Sequence, residues 1–411
     1  MDFLKIFLII LGIIAVALIA NADSGRIYGK IYTLDDEVYE GLIRWDRNEV
    51  SWVDVLDGSK DIPRKNQRES RRSRRGRDRE RSFEIFGFKF KSRGISFWSS
   101  NAQSGIRFGH IKTMEVIDED RVLLILKSGE ELELEGGSTD IGDDVREIII
   151  EDKNEGEIEF VWDDIEKIEF SATKPNLKSK LGYRLYGTLT TRRGDEYQGF
   201  VCWDIDETLS EDILDGDSRK RRRKIKFKDI KAIERYSSSA ATVIFHDDEE
   251  IVLRGTNDVD DDNRGIIICD PGFGQVRVSW DEFERLDFSP MGKAVSYEQF
   301  DGGKKLRGTV FTDEDESYTG DIRWDNDEEY TWEFLNGNYR GADFYIEMGL
   351  IKSIEKKSRR TALVTVKDGR TFRLRGSNDV DQDNKGIFIM LANGDVEVVE
   401  WDEFDRVEFS H

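Results

Sequence analysis

The chain of 411 residues is 37% apolar and 36% charged, with 36 Gly, 4 Pro and 2 Cys. Its formal charge of -23 argues against a general nucleic-acid or membrane-surface binder, because attraction to phosphate needs clustered Lys and Arg. Two cysteines exclude a disulfide scaffold, and a charged fraction above the roughly 25% of an ordinary domain fits small β-modules with one solvated strand face.

At the N-terminus, Lys5 precedes an uncharged run from Ile6 to Ala20, and Ala20, Asn21 and Ala22 form an A-x-A site. The run is shorter than the roughly 18 to 20 residues that cross a bilayer as a helix, so residues 1–22 are expected to be a secretory signal cleaved before Asp23. The mature protein is then exported, periplasmic or extracellular, with no transmembrane span.

Two patterns then recur three times. The first, Y-x-G-x-[IV]-x-W-D, runs Tyr39–Asp46, Tyr197–Asp204 and Tyr318–Asp325, and L-[DN]-G follows at Leu56, Leu214 and Leu335. The second opens at Gly137, Gly255 and Gly376, with an Asp 3 residues and a Trp 25 residues after each Gly. These landmarks set repeat units at 23–171, 183–289 and 305–411, the first carrying a basic insertion at 59–82. Strands with period-2 alternation, Asp-Gly hairpins and a single turn before the last strand predict an all-β fold. It comprises three tandem repeats, each a pair of small SH3-like five-strand barrel modules, six modules in all, formed from consecutive front and back halves. The polar linker from Ser289 to Lys305 predicts few contacts between units, and broken alternation at Val398-Val399 predicts a bulge.

Six Trp-Asp dipeptides, at Trp45, Trp162, Trp203, Trp280, Trp324 and Trp401, are spaced 117, 41, 77, 44 and 77 residues apart. A propeller repeats every 40 to 45 residues, so these tryptophans are expected to fill repeat cores instead.

The loops DVDDDN and DVDQDN place Asp258, Asp260, Asp262 and Asp379, Asp381, Asp383 at positions 1, 3 and 5 of a calcium-type loop. No Gly stands at position 6, Cys269 and Met390 occupy position 12, and the first unit has Gly142 at position 3. A solvated acidic hairpin is therefore expected, with calcium as the alternative. Two basic runs follow the L-[DN]-G landmark: 63–81, with Arg71, Arg72, Arg74 and Arg75, and 218–228, with Arg221, Arg222 and Arg223. They read as solvated insertions in one equivalent loop, able to bind a polyanion by charge but carrying no specific nucleic-acid motif. His110, His246 and His411 occupy no equivalent repeat positions and accompany no nucleophile pattern.

The expected function is therefore a non-enzymatic exported interaction or scaffold module for a protein or envelope partner, polyanionic at the basic loops. One alternative is a calcium-dependent carbohydrate or cell-surface binding protein using exposed aromatics such as Trp52, Trp98 or Trp332. Another is an enzyme with an unrecognised carboxylate site.

Overall fold

The computed structural model describes residues 25–61, 84–85, 88–89, 101–136, 138–175, 177–219, 221–291 and 294–411. The leader at 1–22, the basic run 63–81 with Arg71, Arg72, Arg74 and Arg75, and Trp98 lie outside the described residues. Regular structure among those described is strand, joined by 3-10 turns of three residues.

The first unit comprises β1 (Tyr28–Thr33), β2 (Val38–Trp45), β3 (Val55–Asp61), β4 (Glu84–Ile85), β5 (Phe88–Lys89), β6 (Asn101–Arg107), β7 (Ile111–Asp118), β8 (Arg121–Leu126), β9 (Glu131–Glu135), β10 (Ile148–Asp152), β11 (Gly156–Phe160) and β12 (Ile165–Phe170). The second comprises β13 (Tyr186–Thr191), β14 (Glu196–Cys202), β15 (Ile213–Ser218), β16 (Arg221–Lys226), β17 (Ile230–Ser237), β18 (Ala240–Phe245), β19 (Glu250–Arg254), β20 (Ile266–Asp270), β21 (Gly274–Val278) and β22 (Phe283–Phe288). The third comprises β23 (Arg307–Thr312), β24 (Ser317–Arg323), β25 (Phe334–Tyr339), β26 (Ala342–Glu347), β27 (Ile351–Ser358), β28 (Thr361–Val366), β29 (Thr371–Leu374), β30 (Ile387–Met390), β31 (Val396–Val399) and β32 (Phe404–Phe409). Alternation makes these strands amphipathic: in β8, Val122, Leu124 and Leu126 are buried while the intervening residues are half-exposed.

The first unit's sheet runs β11-β10-β2-β1-β12-β7-β8-β9-β3-β6, entirely antiparallel. Five strands from the two ends of the unit flank five from its middle, and the sets meet at β12–β7. The five-strand sets are thus interleaved, not consecutive halves. None of the three large sheets closes on itself, which corrects the closed-barrel expectation: β12 has β1 on one edge and β7 on the other, so the strand that ends one set joins it to the next. The second unit repeats this order from β21 to β16, and the third from β31 to β29.

The third unit's remaining strands, β25 and β26, belong to the second unit's sheet. There β26 pairs with β21 through Gly274↔Ile346, Gln275↔Tyr345, Val276↔Phe344 and Arg277↔Asp343. Gly274 permits this close approach, since a Cβ there would lie 2.1 Å from the Tyr345 carbonyl oxygen and its φ is +139°.

One hydrophobic core runs through the second and third units. Another combines the first unit with Phe200, Cys202, Ile267 and Cys269 of the second and Trp332 of the third. The linker joins in as well: the Tyr297 hydroxyl donates to the Ile111 carbonyl at 2.9 Å, and Phe300 packs directly over Gly109. The expectation of few contacts between units fails because Tyr297 and Phe300 bury apolar rings within a polar stretch. The expected bulge is also absent: β30 and β31 keep one register from Ile387↔Val399 to Met390↔Val396. Nothing covers the outer face of this edge strand within the sheet, so Val396 and Val398 stay exposed and the ladder stays regular.

Equivalent carboxylates staple the units together. The Val50 and Ser51 amides donate to Asp54 Oδ2 at 2.9 and 2.8 Å, while Arg184 of the second unit donates to its Oδ1 at 2.9 Å. Asp212 accepts the Thr208 and Leu209 amides, both at 2.8 Å, and Arg44 of the first unit at 2.9 Å. Glu333 accepts the Glu329 and Tyr330 amides and Lys60 of the first unit.

Gly274→Ala should destabilise the protein by roughly 2 to 3 kcal/mol, because it combines a left-handed φ with a backbone clash at the joint. Gly369→Ala, with φ +94° but open space around it, should cost only about 1 to 2 kcal/mol. Urea unfolding followed by tryptophan fluorescence measures both.

Candidate functional site

Each unit buries a group of carboxylates beneath a Trp that ends or directly follows its second strand. The Trp45 indole N–H donates to the Asp140 carbonyl at 2.9 Å, and Trp203 to Asp258 and Trp324 to Asp379 do the same at the same distance. Trp45, Trp203 and Trp324 meet Trp162, Trp280 and Trp401 edge to face, with centroids 6.2, 6.3 and 6.4 Å apart, and all six rings are buried.

After each Trp the chain turns through a left-handed Asp, with φ of 41° at Asp46, 48° at Asp204 and 52° at Asp325. Asp tolerates this conformation better than most side chains, and here its carboxylate also organises the loop that carries the second pattern. Asp46 Oδ1 accepts the Arg146 amide at 2.7 Å, and its Oδ2 pairs with the Arg146 guanidinium at 2.7 Å. Asp204 accepts the Arg264 amide at 2.5 Å and its guanidinium at 2.9 Å, and Asp325 accepts the Lys385 amide with its ammonium at 3.3 Å.

The other side of each cluster is the Asp of the second pattern. Asp140, Asp258 and Asp379 accept the amides of Asp57, Asp215 and Asn336 at 2.8, 2.7 and 2.7 Å. A third carboxylate lies three residues beyond each left-handed Asp, at Glu49, Glu207 and Glu328. Oε2 of each of these accepts no hydrogen bond, nor does Asp140 Oδ1. Glu49 is 3% exposed and Asp140 0%, so water does not solvate them freely. Potential ligand oxygens of Asp46, Glu49 and Asp140 lie within 4.8 Å of one another.

Such crowding favours protons. Burial, then Asp140 and Asp46, hold the Glu49 carboxyl well above the usual range, and burial followed by Asp46 does the same to Asp140. Glu207, Glu328 and Asp379 are raised by the same combination of burial and neighbouring carboxylates. Burial pushes Asp258 up to about 6, against the opposing hydrogen bond from the Asp215 amide. With every group ionised, the three equivalent carboxylates and their one cation sum to −2 in each unit, before Asp206, which also pairs with Arg146 and Arg264, is counted.

Asp258 and Asp379 belong to these clusters, but the rest of the proposed calcium loops does not converge with them. Asp260 and Asp381 each accept an amide two residues on, from Asp262 and Asp383, and Asp262 and Asp383 are exposed. Among the described residues, the three-ligand group is instead in the first unit, whose loop has Gly142 at position 3. The sequence signal for these glutamates is W-D-x-x-E, which recurs at Trp45, Trp203 and Trp324 and lies outside the calcium-type loops.

Arg221, Arg222 and Arg223 begin β16, which occupies the place that β26 holds in the third unit. This basic run is therefore a strand of the repeat, not an inserted loop. It pairs with β15 from Ile213↔Lys226 to Ser218↔Arg221 and forms the outermost strand of its sheet, with Arg221 to Lys224 exposed. Trp52 and Trp332, suggested above as exposed contacts, are 0% and 2% exposed, so neither presents a ring to a ligand. Cys202 and Cys269 are unbonded and buried against the first unit, and burial raises both thiols, Cys269 to about 12. His110 Nδ1 accepts the Gly302 amide at 3.2 Å while its Nε2 faces Glu347 at 3.4 Å, a wedge between the first and third units.

Comparison with protein-family models, curated proteins and solved structures finds no match.

Because the Asp258 carboxyl is raised in the folded state, its contribution to stability is fully present below pH 3.8 and is lost as pH rises to about 6. Asp258→Asn keeps an oxygen for the Asp215 amide and removes the penalty of ionising a buried carboxyl. The variant should gain on the order of 3 kcal/mol near neutral pH and show a shallower pH dependence in urea titrations.

Proposed function

We propose that the chain is an exported, non-enzymatic scaffold of SH3-like five-strand modules that offers the β16 edge to an acidic partner. The carrying observation is β16 itself: four consecutive exposed basic residues, Arg221 to Lys224, on an outermost strand of a protein with net charge -23. A strand edge supplies backbone donors and acceptors, and the side chains supply a local positive field against an acidic surround. Two features support the SH3-like reading: five of the six five-strand sets keep one antiparallel order within a sheet, and a short turn precedes the strand that joins two sets, a 3-10 turn at Trp162–Asp164 before β12 and plain turns at 280–282 and 401–403 before β22 and β32. Export rests on the leader at 1–22.

If the β16 edge takes polyanions, binding of heparin should weaken steeply between about 50 and 200 mM salt. Replacing Arg221, Arg222 and Arg223 with Ser should lower the log–log salt slope by roughly 2 to 3 without changing the melting temperature by more than a few degrees. A slope unchanged by the substitutions would place the polyanion elsewhere.

The unpartnered oxygens Glu49 Oε2 and Asp140 Oδ1 favour a second reading, in which the protein is a calcium-dependent binder with its ion at Asp46, Glu49 and Asp140. Calcium at about 100 times its dissociation constant would then stabilise the fold by roughly 2.7 kcal/mol. Glu49→Gln should abolish that gain in thermal melts, together with any terbium luminescence sensitised by Trp45. No gain in the unsubstituted protein would remove this reading.

A further inference from the structure

The joint between β21 and β26 follows a rule that the chain applies once and leaves open once. By the repeat offsets, β11 is to the first unit what β21 is to the second, and β16 is to the second unit what β26 is to the third. Within the molecule β21 and β26 pair, whereas β11 and β16 are each the outermost strand of a sheet. The first two units meet differently, with Phe200, Cys202, Ile267 and Cys269 packed on the first unit and Arg184 bound to Asp54.

Transferring the β21–β26 register residue by residue yields a specific pairing. Gly274↔Ile346 becomes Gly156↔Ile225, Gln275↔Tyr345 becomes Glu157↔Lys224, Val276↔Phe344 becomes Ile158↔Arg223, and Arg277↔Asp343 becomes Glu159↔Arg222. Both exposed acids of β11 then oppose exposed bases of β16. Opposite charges directly across an antiparallel pair stabilise it, and like charges there are destabilising. The position of Glu159 and Arg222 holds an opposite-charge pair in the existing joint too, with the signs exchanged as Arg277 and Asp343. Gly156 stands where Gly274 permits the close approach of Tyr345.

We propose that β11 of one molecule adds to β16 of a second copy of this chain in that register, extending the sheet across molecules as β21 and β26 extend it across units. The inference rests on β16 being an interaction edge and names its partner. Only a few residues pair at each joint and the complementarity is mostly ionic, so association is weak, reversible and sensitive to salt.

Sedimentation equilibrium of the purified protein at up to about 100 µM, in about 50 mM and about 500 mM salt, tests this. Mass should rise with concentration at low salt and fall to the monomer value at high salt. Glu157→Lys with Glu159→Lys makes the paired positions of both edges basic, and Arg222→Glu with Lys224→Glu makes the paired positions of both acidic. Each double variant alone should stay monomeric, with association weakened by about 10-fold or more. An equimolar mixture of the two should associate again, because every β11 then meets a β16 of opposite sign. A monomer at every concentration, or association indifferent to the charge reversals, overturns the proposal. If the protein stays monomeric while heparin still binds through Arg221, Arg222 and Arg223, the second copy is excluded and the β16 edge serves a different partner. Loss of both results removes the two readings together.

Discussion

In each unit one aspartate ties the two five-strand sets together. Asp140 gives its carbonyl to the Trp45 indole at the end of β2 and takes the Asp57 amide of β3 on its carboxylate. Those strands belong to different sets, so a residue in the loop before β10 holds the seam between them. Asp258 and Asp379 repeat both bonds. The indole is fully buried, and its bond to the Asp140 carbonyl avoids the cost of about 1 to 3 kcal/mol that an unmade hydrogen bond carries in the interior. Through these two bonds the loop before β10 reaches a strand of each set, and the sets interleave in the sheet.

The same design gathers carboxylates where water is scarce. Asp46 is compensated by Arg146, Asp204 by Arg264 and Asp325 by Lys385, each cation lying on the strand-flanking loop that its Asp also fixes through a backbone amide. Glu49, Glu207 and Glu328 lack such a partner on Oε2, and burial, then repulsion from the neighbouring carboxylates, raises all three carboxyls. A buried ion pair adds little net stability but penalises arrangements that separate its partners.

Between units the logic is again ionic, at three equivalent positions with different partners. Asp54 takes Arg184, Asp212 takes Arg44 and Glu333 takes Lys60. Each carboxylate holds its own turn through two amides and another unit through a cation, so folding of the turn and docking of the neighbour are coupled. Near the meeting point, burial disfavours charge on Glu347, but Arg107 and His110 outweigh it and hold this carboxyl below the usual range.

Much of the strand pattern was legible in the sequence because it is local. Period-2 alternation in segments such as Val122 to Leu126, the Asp368-Gly369 turn and the Trp-Asp spacing are properties of short windows, and they determined an all-β chain with three internal repeats. Partner choice is not local. Every strand carries the same alternation, so nothing in a window around β2 says that it pairs with β10 rather than β3; the difference resides in contacts about a hundred residues apart, such as Trp45 to Asp140. The W-D-x-x-E spacing was visible, but its meaning required knowing that the second-pattern Asp arrives beneath the same indole. Likewise the basic character of Arg221 to Lys224 could be read directly, while its place on an outermost strand could not. Sequence thus determined that the chain is built of amphipathic strands in three repeats, through short-range sterics and hydrophobic periodicity, but read β16 as a loop and Trp52 and Trp332 as exposed. Only the tertiary structure decided which edges meet, because that depends on buried hydrogen bonds and charges converging from distant parts of the chain.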